Sequence, residues 1–300
     1  MDYKYIRYQV NDRVATITLN RPERYNAQTR RMHAEIRDAA DRWDADDNVR
    51  VVIFTGAGKA FCSGTDLRAS WSADTKDEED LPTVFVNGIR RDSGGPLVLR
   101  LFDSRKPMIA AINGVSVGIG VTFTLPMDVR IASENVRFGL VFTQRGICPE
   151  SCSSWFLPRL VGIAKALDWV NTGRIFPATE ALQHGLTSEI VAPDQLLARA
   201  QAIAHEIADH TAAVSVAVSR QLMWRMLGAS HPMQAHEMES QALTALVQKR
   251  DASEAAEAFI EKRPARFADR PSADMPDSYP WWRTPEFKGR IEGLETDTHG

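Results

Sequence analysis

An α/β fold is predicted for this chain by three observations: apolar runs that end in glycine turns, a helical pattern between them, and a second half dominated by helical periodicity. In residues 14–19, Ala15, Ile17 and Leu19 alternate with Thr16 and Thr18, which predicts a strand with one face more buried. NRPERYNA (20–27) follows as a loop. Met32, Ile36, Ala39, Ala40 and Trp43 recur at the spacing of one helix face, so a helix is expected over 29–44. The run VRVVIFTG (49–56) suits a central parallel strand covered on both sides. Strand, helix, strand and glycine turn make a βαβ-type unit. A second cycle closes with KPMIAAINGV (106–115), read as another buried strand entering a glycine turn, and DVRIA (128–132) reads as a third.

Beyond about residue 163 helices are expected over 163–171, 178–184, 194–209, 214–227, 233–248 and 252–262, with Gly173, Gly185 and Gly228 at ends or turns. After Lys262 the prolines at 264, 271, 276, 280 and 285 break up any helix, so 264–300 reads as an extended arm. Trp281 and Trp282 are its candidate docking residues, on this subunit or a neighbour. The acidic stretch SADTKDEEDLP (72–82) reads as a solvated loop, with a lid over the site as the second reading.

At 300 residues, 44% apolar and 25% charged, the composition is that of an ordinary globular protein. A net charge of −3 gives no basic stripe, so no nucleic-acid partner is expected. No apolar run reaches the roughly 18 residues of a membrane span, and MDYKYIRYQV lacks an apolar leader. No membrane partner and a cytoplasmic location are therefore expected. The three cysteines, Cys62, Cys148 and Cys152, are expected to be free packing thiols. No metal site is expected. His205 and His210 are five apart, about 140° around a helix, and Cys148 and Cys152 have no nearby histidine to complete a ligand set.

The residues that suggest chemistry are in two glycine turns, AFCSGTDL (60–67) and NGVSVGIG (113–120), each following an apolar strand. Glycine there lets peptide N–H groups face a cleft instead of a ladder. Together with NRPERYNA (20–27) and GICPESCSSWFLPRLVG (146–162), these turns resemble the crotonase, or enoyl-CoA hydratase/isomerase, superfamily over roughly residues 5–263. That resemblance implies a ClpP-like spiral of strand-strand-helix units over 1–195. A helical trimerisation region over 196–263 follows, with the arm beyond it, and assembly as a homotrimer or hexamer.

The resemblance also implies an acyl-CoA substrate, coenzyme A being part of that substrate, and no separate cofactor. Thr65 N–H and Ile119 N–H correspond to the two donors that hold a thioester oxygen as its charge grows. Gly118-Ile119-Gly120 replaces three consecutive glycines, so Ile119 must accommodate a side chain, and its amide serves only if φ there is not positive. Substrate contacts are implied for Arg24 and Lys262 at the CoA phosphates or adenine, and for the backbone of Ala27, Ala60 and Ser63 at the nucleotide end. Asp66, Leu67 and Gly118 belong to the same turns, with Asp66 expected to anchor the next helix.

At the positions that match the two hydratase glutamates this sequence has Thr122 and Phe142, and the resemblance implies a substrate contact for Phe142. Two-acid hydration is therefore in doubt. Glu150 is placed instead like the single glutamate of Δ3,Δ2-enoyl-CoA isomerases, which moves a proton from C2 to C4. Pro149 suggests that Glu150 begins the helix running through Ser153 and Phe156. A helix start would lower its proton affinity and an apolar pocket would raise it. Hydration, or a related lyase reaction through Glu150, is the alternative activity. A non-catalytic CoA-binding protein is the alternative class.

Overall fold

The computed structural model describes residues 3–67 and 81–289. Residues 72–80 of the acidic run, for which a loop or lid is expected, lie outside the described residues. The chain opens with the antiparallel pair β1 (Ile6–Asn11) and β2 (Val14–Leu19), in register from Ile6 opposite Leu19 to Asn11 opposite Val14. Helix α1 (Arg30–Ala45) follows, and the Thr29 hydroxyl accepts the Met32 N–H at 3.2 Å. That bond satisfies an amide which a helix start leaves bare. The five residues expected on its inner face are all fully buried.

The chain then repeats one manoeuvre. A strand of a first sheet passes through a tight turn into a strand of a second. The first instance is β3 (Val51–Gly56) to β4 (Ala60–Cys62). After the small hairpin β5 (Phe85–Val86) and β6 (Ile89–Arg90) and helix α2 (Gly94–Phe102), β7 (Met108–Ile112) leads to β8 (Val115–Val117). The single turn α3 (Ile119–Thr122) precedes the third instance, β9 (Val129–Ser133) to β10 (Arg137–Gly139). The buried strand expected within 106–115 is β7, and the turn expected after it comes at Asn113, whose Oδ1 accepts the Gly56 N–H at 3.0 Å and beyond which β8 joins the second sheet.

Helices α4 (Ser153–Val161) and α5 (Ile163–Thr172), strand β11 (Ile175–Pro177), helix α6 (Ala178–Gln183) and strand β12 (Glu189–Val191) complete the layers. The first sheet has the order β1-β2-β3-β7-β9-β12, parallel from β2 onward, and the second has β11-β10-β8-β4, antiparallel only at β11. Helix α7 (Leu196–His210) covers one face of the first sheet. Its buried stripe Leu196, Ala200, Ala204 and Ala208 packs on Val51, Ile53, Ile109, Ala111 and Ile131. The alternate residues Val52, Phe54, Met108, Ala110 and Ile112 enter the main core on the opposite face. Burial of both faces explains why these strands are apolar throughout.

Three more helices follow, α8 (Ala213–Met226), α9 (Pro232–Leu246) and α10 (Arg250–Glu261). Buried Arg220 of α8 donates to the carbonyls of Phe102, Ser104 and Pro126 and pairs with Asp128 at 2.9 Å. It thereby fixes the end of α2. Beyond α10 the arm runs back over its own subunit. Arg105 Nη1 donates to the Pro271 carbonyl at 2.8 Å, and the Arg225 guanidinium lies 3.8 Å from the centre of the Trp282 ring. No described helix is long and apolar enough to cross a membrane.

Candidate active site

The two glycine turns lie side by side because β4 and β8 are paired in parallel, Ala60 with Val115 and Cys62 with Ser116. Gly64 and Gly118 have positive φ, 114° and 55°, which side chains resist, and a Cβ on Gly118 would come within 3.9 Å of Gly64 Cα. With Gly118 taking the positive φ, Ile119 has the helical geometry of the first residue of α3 and its side chain packs into the core. Ile119 is therefore compatible with a free amide. Gln28 donates to the Gly64 carbonyl and accepts from the Asp66 N–H, both at 2.9 Å, which turns the intervening Thr65 N–H the other way. Among the described residues neither the Thr65 nor the Ile119 N–H has a hydrogen-bond partner.

Thr65, Ile119 and Glu150 line one cleft of about 520 Å³. Glu150 is not in the helix expected to begin with it. Ser151 and Cys152 both adopt left-handed φ, 54° and 55°, so the chain reverses and α4 starts at Ser153. Two successive non-glycine residues there carry strain of roughly 1 kcal/mol or more each. The turn is held by Asp92, whose Oδ2 accepts the Ser151 N–H at 2.8 Å, and by the Glu150 carbonyl, which accepts the Ser153 N–H at 3.0 Å. This reversal aims the Glu150 side chain at the cleft.

The Glu150 carboxylate accepts from Thr122 Oγ1 at 2.6 Å on one oxygen and from the Ser151 hydroxyl on the other. Although the residue keeps an opening to the cleft, packed atoms strip most water from the carboxylate. Burial first, and the negative charge of Asp92 second, push its pKa up to about 7 against the two hydroxyl donors. Burial outweighs any helix-start effect, since the helix begins three residues later. Glu150 is thus poised between protonation states near neutral pH, as a group that both removes and returns a proton needs to be.

Other expected contact residues are scattered. Arg24, Ala27, Ala60 and Ser63 meet on one side, where Asn26 Nδ2 donates to the Ala60 carbonyl at 2.7 Å and the Ser63 N–H donates to the Tyr25 carbonyl at 3.0 Å. Asp66 pairs with Arg21 at 3.0 Å; the helix it is expected to anchor lies outside the described residues. Leu67 is exposed at the end of the turn. Phe142, expected at the substrate, is packed in the main core and does not line the cleft, because the chain turns inward there before the 3-10 turn Thr143–Arg145. Lys262 caps the C-terminal end of α10, exposed and outside the cleft lining.

Burial pushes the Cys62 thiol up to about 12, in keeping with a packing role, whereas Cys148 is exposed at the cleft. Among the described residues no three His, Cys, Asp or Glu side chains cluster as a metal site requires.

A family model described as Enoyl-CoA hydratase/isomerase matches residues 9–270. The chain belongs to the enoyl-CoA hydratase/isomerase family. It is 41% identical over 259 residues to enoyl-CoA hydratase ACTT3 of Alternaria alternata, covering 86% of this chain and 84% of that protein. It is 35% identical over 208 residues to the 1,2-epoxyphenylacetyl-CoA isomerase of Escherichia coli strain K12, covering 68% and 76%. The crystal structure of a probable enoyl-CoA hydratase/isomerase from Mycobacterium abscessus superposes with a TM-score of 0.77 at 33% identity, over 88% of this chain and 99% of that one. The fold is accordingly the crotonase fold, and the protein is an enzyme of this family.

This member of the enoyl-CoA hydratase/isomerase family adds to the expected site a carboxylate that sequence reasoning missed. Asp92 lines the cleft and accepts the N–H groups of Gly94 and Gly95 at 2.9 and 3.0 Å, besides that of Ser151. Asp-Ser ahead of Gly-Gly-Pro and an apolar run is a helix-start signal, and it would have disclosed both α2 and Asp92. Ser151 and His33 were also missed. His33 is buried on α1, with Nε2 3.0 Å from Gln28 Oε1.

Proposed function

We propose that this enzyme is a Δ3,Δ2-enoyl-CoA isomerase in which Glu150 shuttles one proton. Glu150 removes a proton from C2 of a 3-enoyl-CoA. The Thr65 and Ile119 amides stabilise the negative charge that moves onto the thioester oxygen, and Glu150 returns the proton to C4. No atom of water enters the product. The observation that carries this reading is one carboxylate, held by Thr122 and Ser151 and poised near neutrality, in the same cleft as two unpartnered amides. Thr122, where a hydratase has its first acid, serves here as a donor to Glu150 and leaves it the acceptor of the substrate proton. The substrate is an acyl-CoA thioester, bound with its nucleotide end toward the side where Arg24, Ala27, Ala60 and Ser63 gather, and the chain works as a homotrimer or hexamer in the cytoplasm.

Hydration is the second reading. It is favoured by Asp92, a second carboxylate at the cleft, and by relatives whose names are those of hydratases. Separating the products formed from 3-hexenoyl-CoA and from 2-hexenoyl-CoA distinguishes the two: a conjugated 2-enoyl product from the first supports isomerisation, and a 3-hydroxyacyl product from the second supports hydration.

A further inference from the structure

Among the described residues the cleft lining carries more arginines than acids, for a site meant to hold an apolar acyl chain. Arg30 and Arg37 lie on one face of α1, and Arg90 and Arg91 come from the hairpin of β5 and β6; all four line it. Asp92 and Glu150 are the acids among its described lining residues, and three backbone N–H groups already occupy Asp92. The side chains of Arg37 and Arg91 have no hydrogen-bonded or ionic partner among the described residues. A guanidinium turned into a concave site without a partner is suited to a planar oxyanion, which it grips through two parallel N–H groups.

Arg91 is held in place by residues 287–288 of the C-terminal arm. Its guanidinium lies 4.9 Å from the centre of the Phe287 ring, and Asn87 Nδ2, in the turn of the hairpin, donates to the Lys288 carbonyl at 2.7 Å. Strands of two residues bury too little to hold a shape by themselves. Their support comes from residues 287–288, which lie beyond the span matched by the family model. The guanidiniums of Arg37 and Arg91 are separate from Arg24 and Lys262, neither of which lines the cleft.

We infer that the cleft accepts acyl groups bearing a second carboxylate remote from the thioester, that Arg91 with Arg37 recognises it, and that Phe287 of the arm is the positioning residue for Arg91. The inference rests on the acyl-CoA reading of the site. Titration calorimetry with unreactive saturated thioesters tests it: adipyl-CoA, hexanoyl-CoA of equal length, and free CoA. The full chain is expected to bind adipyl-CoA at least about tenfold more tightly than hexanoyl-CoA, the scale of one charge-assisted contact. Arg91→Met lowers that ratio by about fivefold or more, Arg91→Lys retains part of it, and Phe287→Ala falls between. Should Arg91→Met fail to fold, Arg37→Met reads the same ratio.

Equal or reversed preference in the full chain, or a ratio that Arg91→Met leaves unmoved, overturns the inference. An equal loss of affinity for free CoA does so as well, since it assigns the guanidinium to the phosphates. Because these ligands do not turn over, an enzyme that prefers adipyl-CoA yet fails to isomerise 3-enoyl-CoA contradicts the isomerase reading alone. Failure to bind any of the thioesters contradicts both.

Discussion

Glu150 is a carboxylate in surroundings that oppose its charge. Its pKa near 7 predicts that kcat/KM rises tenfold per pH unit on the acid side and levels off above about pH 7, as the base becomes ionised. Thr122→Val removes a donor to the ionised form, so the midpoint of that rise moves upward; a midpoint that falls or stays fixed contradicts the role given to Thr122. The same residue has a consequence for stability. A carboxyl whose folded pKa is raised contributes stability that is present below its unfolded value and lost as pH rises through the folded value. Glu150→Gln does not titrate. Its melting temperature is therefore expected to exceed that of the parent at pH 8, by an equivalent of about 1 to 3 kcal/mol, and the gap closes toward pH 4 to 5. An identical gap at both pH values in thermal denaturation contradicts the burial argument.

At the scale of elements, α2 and the reversal before α4 close on the same point. A Cβ on Gly94 would lie 2.0 Å from Ser151 Oγ, 2.7 Å from Glu150 Oε2 and 2.9 Å from Ile119 Cδ1. Ala is the better helix former by about 1 kcal/mol, but overpacking at a site this crowded costs about 1 to 3 kcal/mol. Gly94→Ala is thus expected to lower the melting temperature slightly and turnover by about 10²-fold, through displacement of Glu150. Unchanged turnover in steady-state assays removes α2 from the site.

The central strands and α1 were legible in the sequence because their burial is periodic or complete, and the helices from α5 onward lie within two residues of their expected limits. Less was legible where geometry depends on partners distant in sequence. The reversal at Ser151 and Cys152 has no local signature, since αL there is imposed by Asp92, 59 residues away. Phe142 occupies a position aligned by counting from a glycine turn, and counting does not reveal that its ring turns into the core. Strands β10, β11 and β12 have three residues each, too short to show alternation.

For the whole molecule, the last helices leave apolar side chains in water. Phe259 is 86% exposed, Ile260 78% and Met223 71%, while the neighbouring Trp224 is buried with its Nε1 donating to Asp128 at 3.0 Å. Exposure on that scale on α8 and α10 fits a surface covered by other copies of the chain. Light scattering is expected to give a mass of three or six chains for the parent and a smaller assembly for the double variant Phe259→Asp, Ile260→Asp; the same mass for both rejects this face as the contact.

The proton shuttle proposed for residue 150 is tested most directly by the reaction of 3-hexenoyl-CoA in deuterated water, followed by NMR with the full chain and with Glu150→Gln. Conversion to 2-hexenoyl-CoA without addition of solvent oxygen is expected, with any deuterium gained appearing at C4, and a turnover about 10² to 10⁴-fold lower for the variant. A 3-hydroxyacyl product, or equal rates for the two proteins, would contradict it.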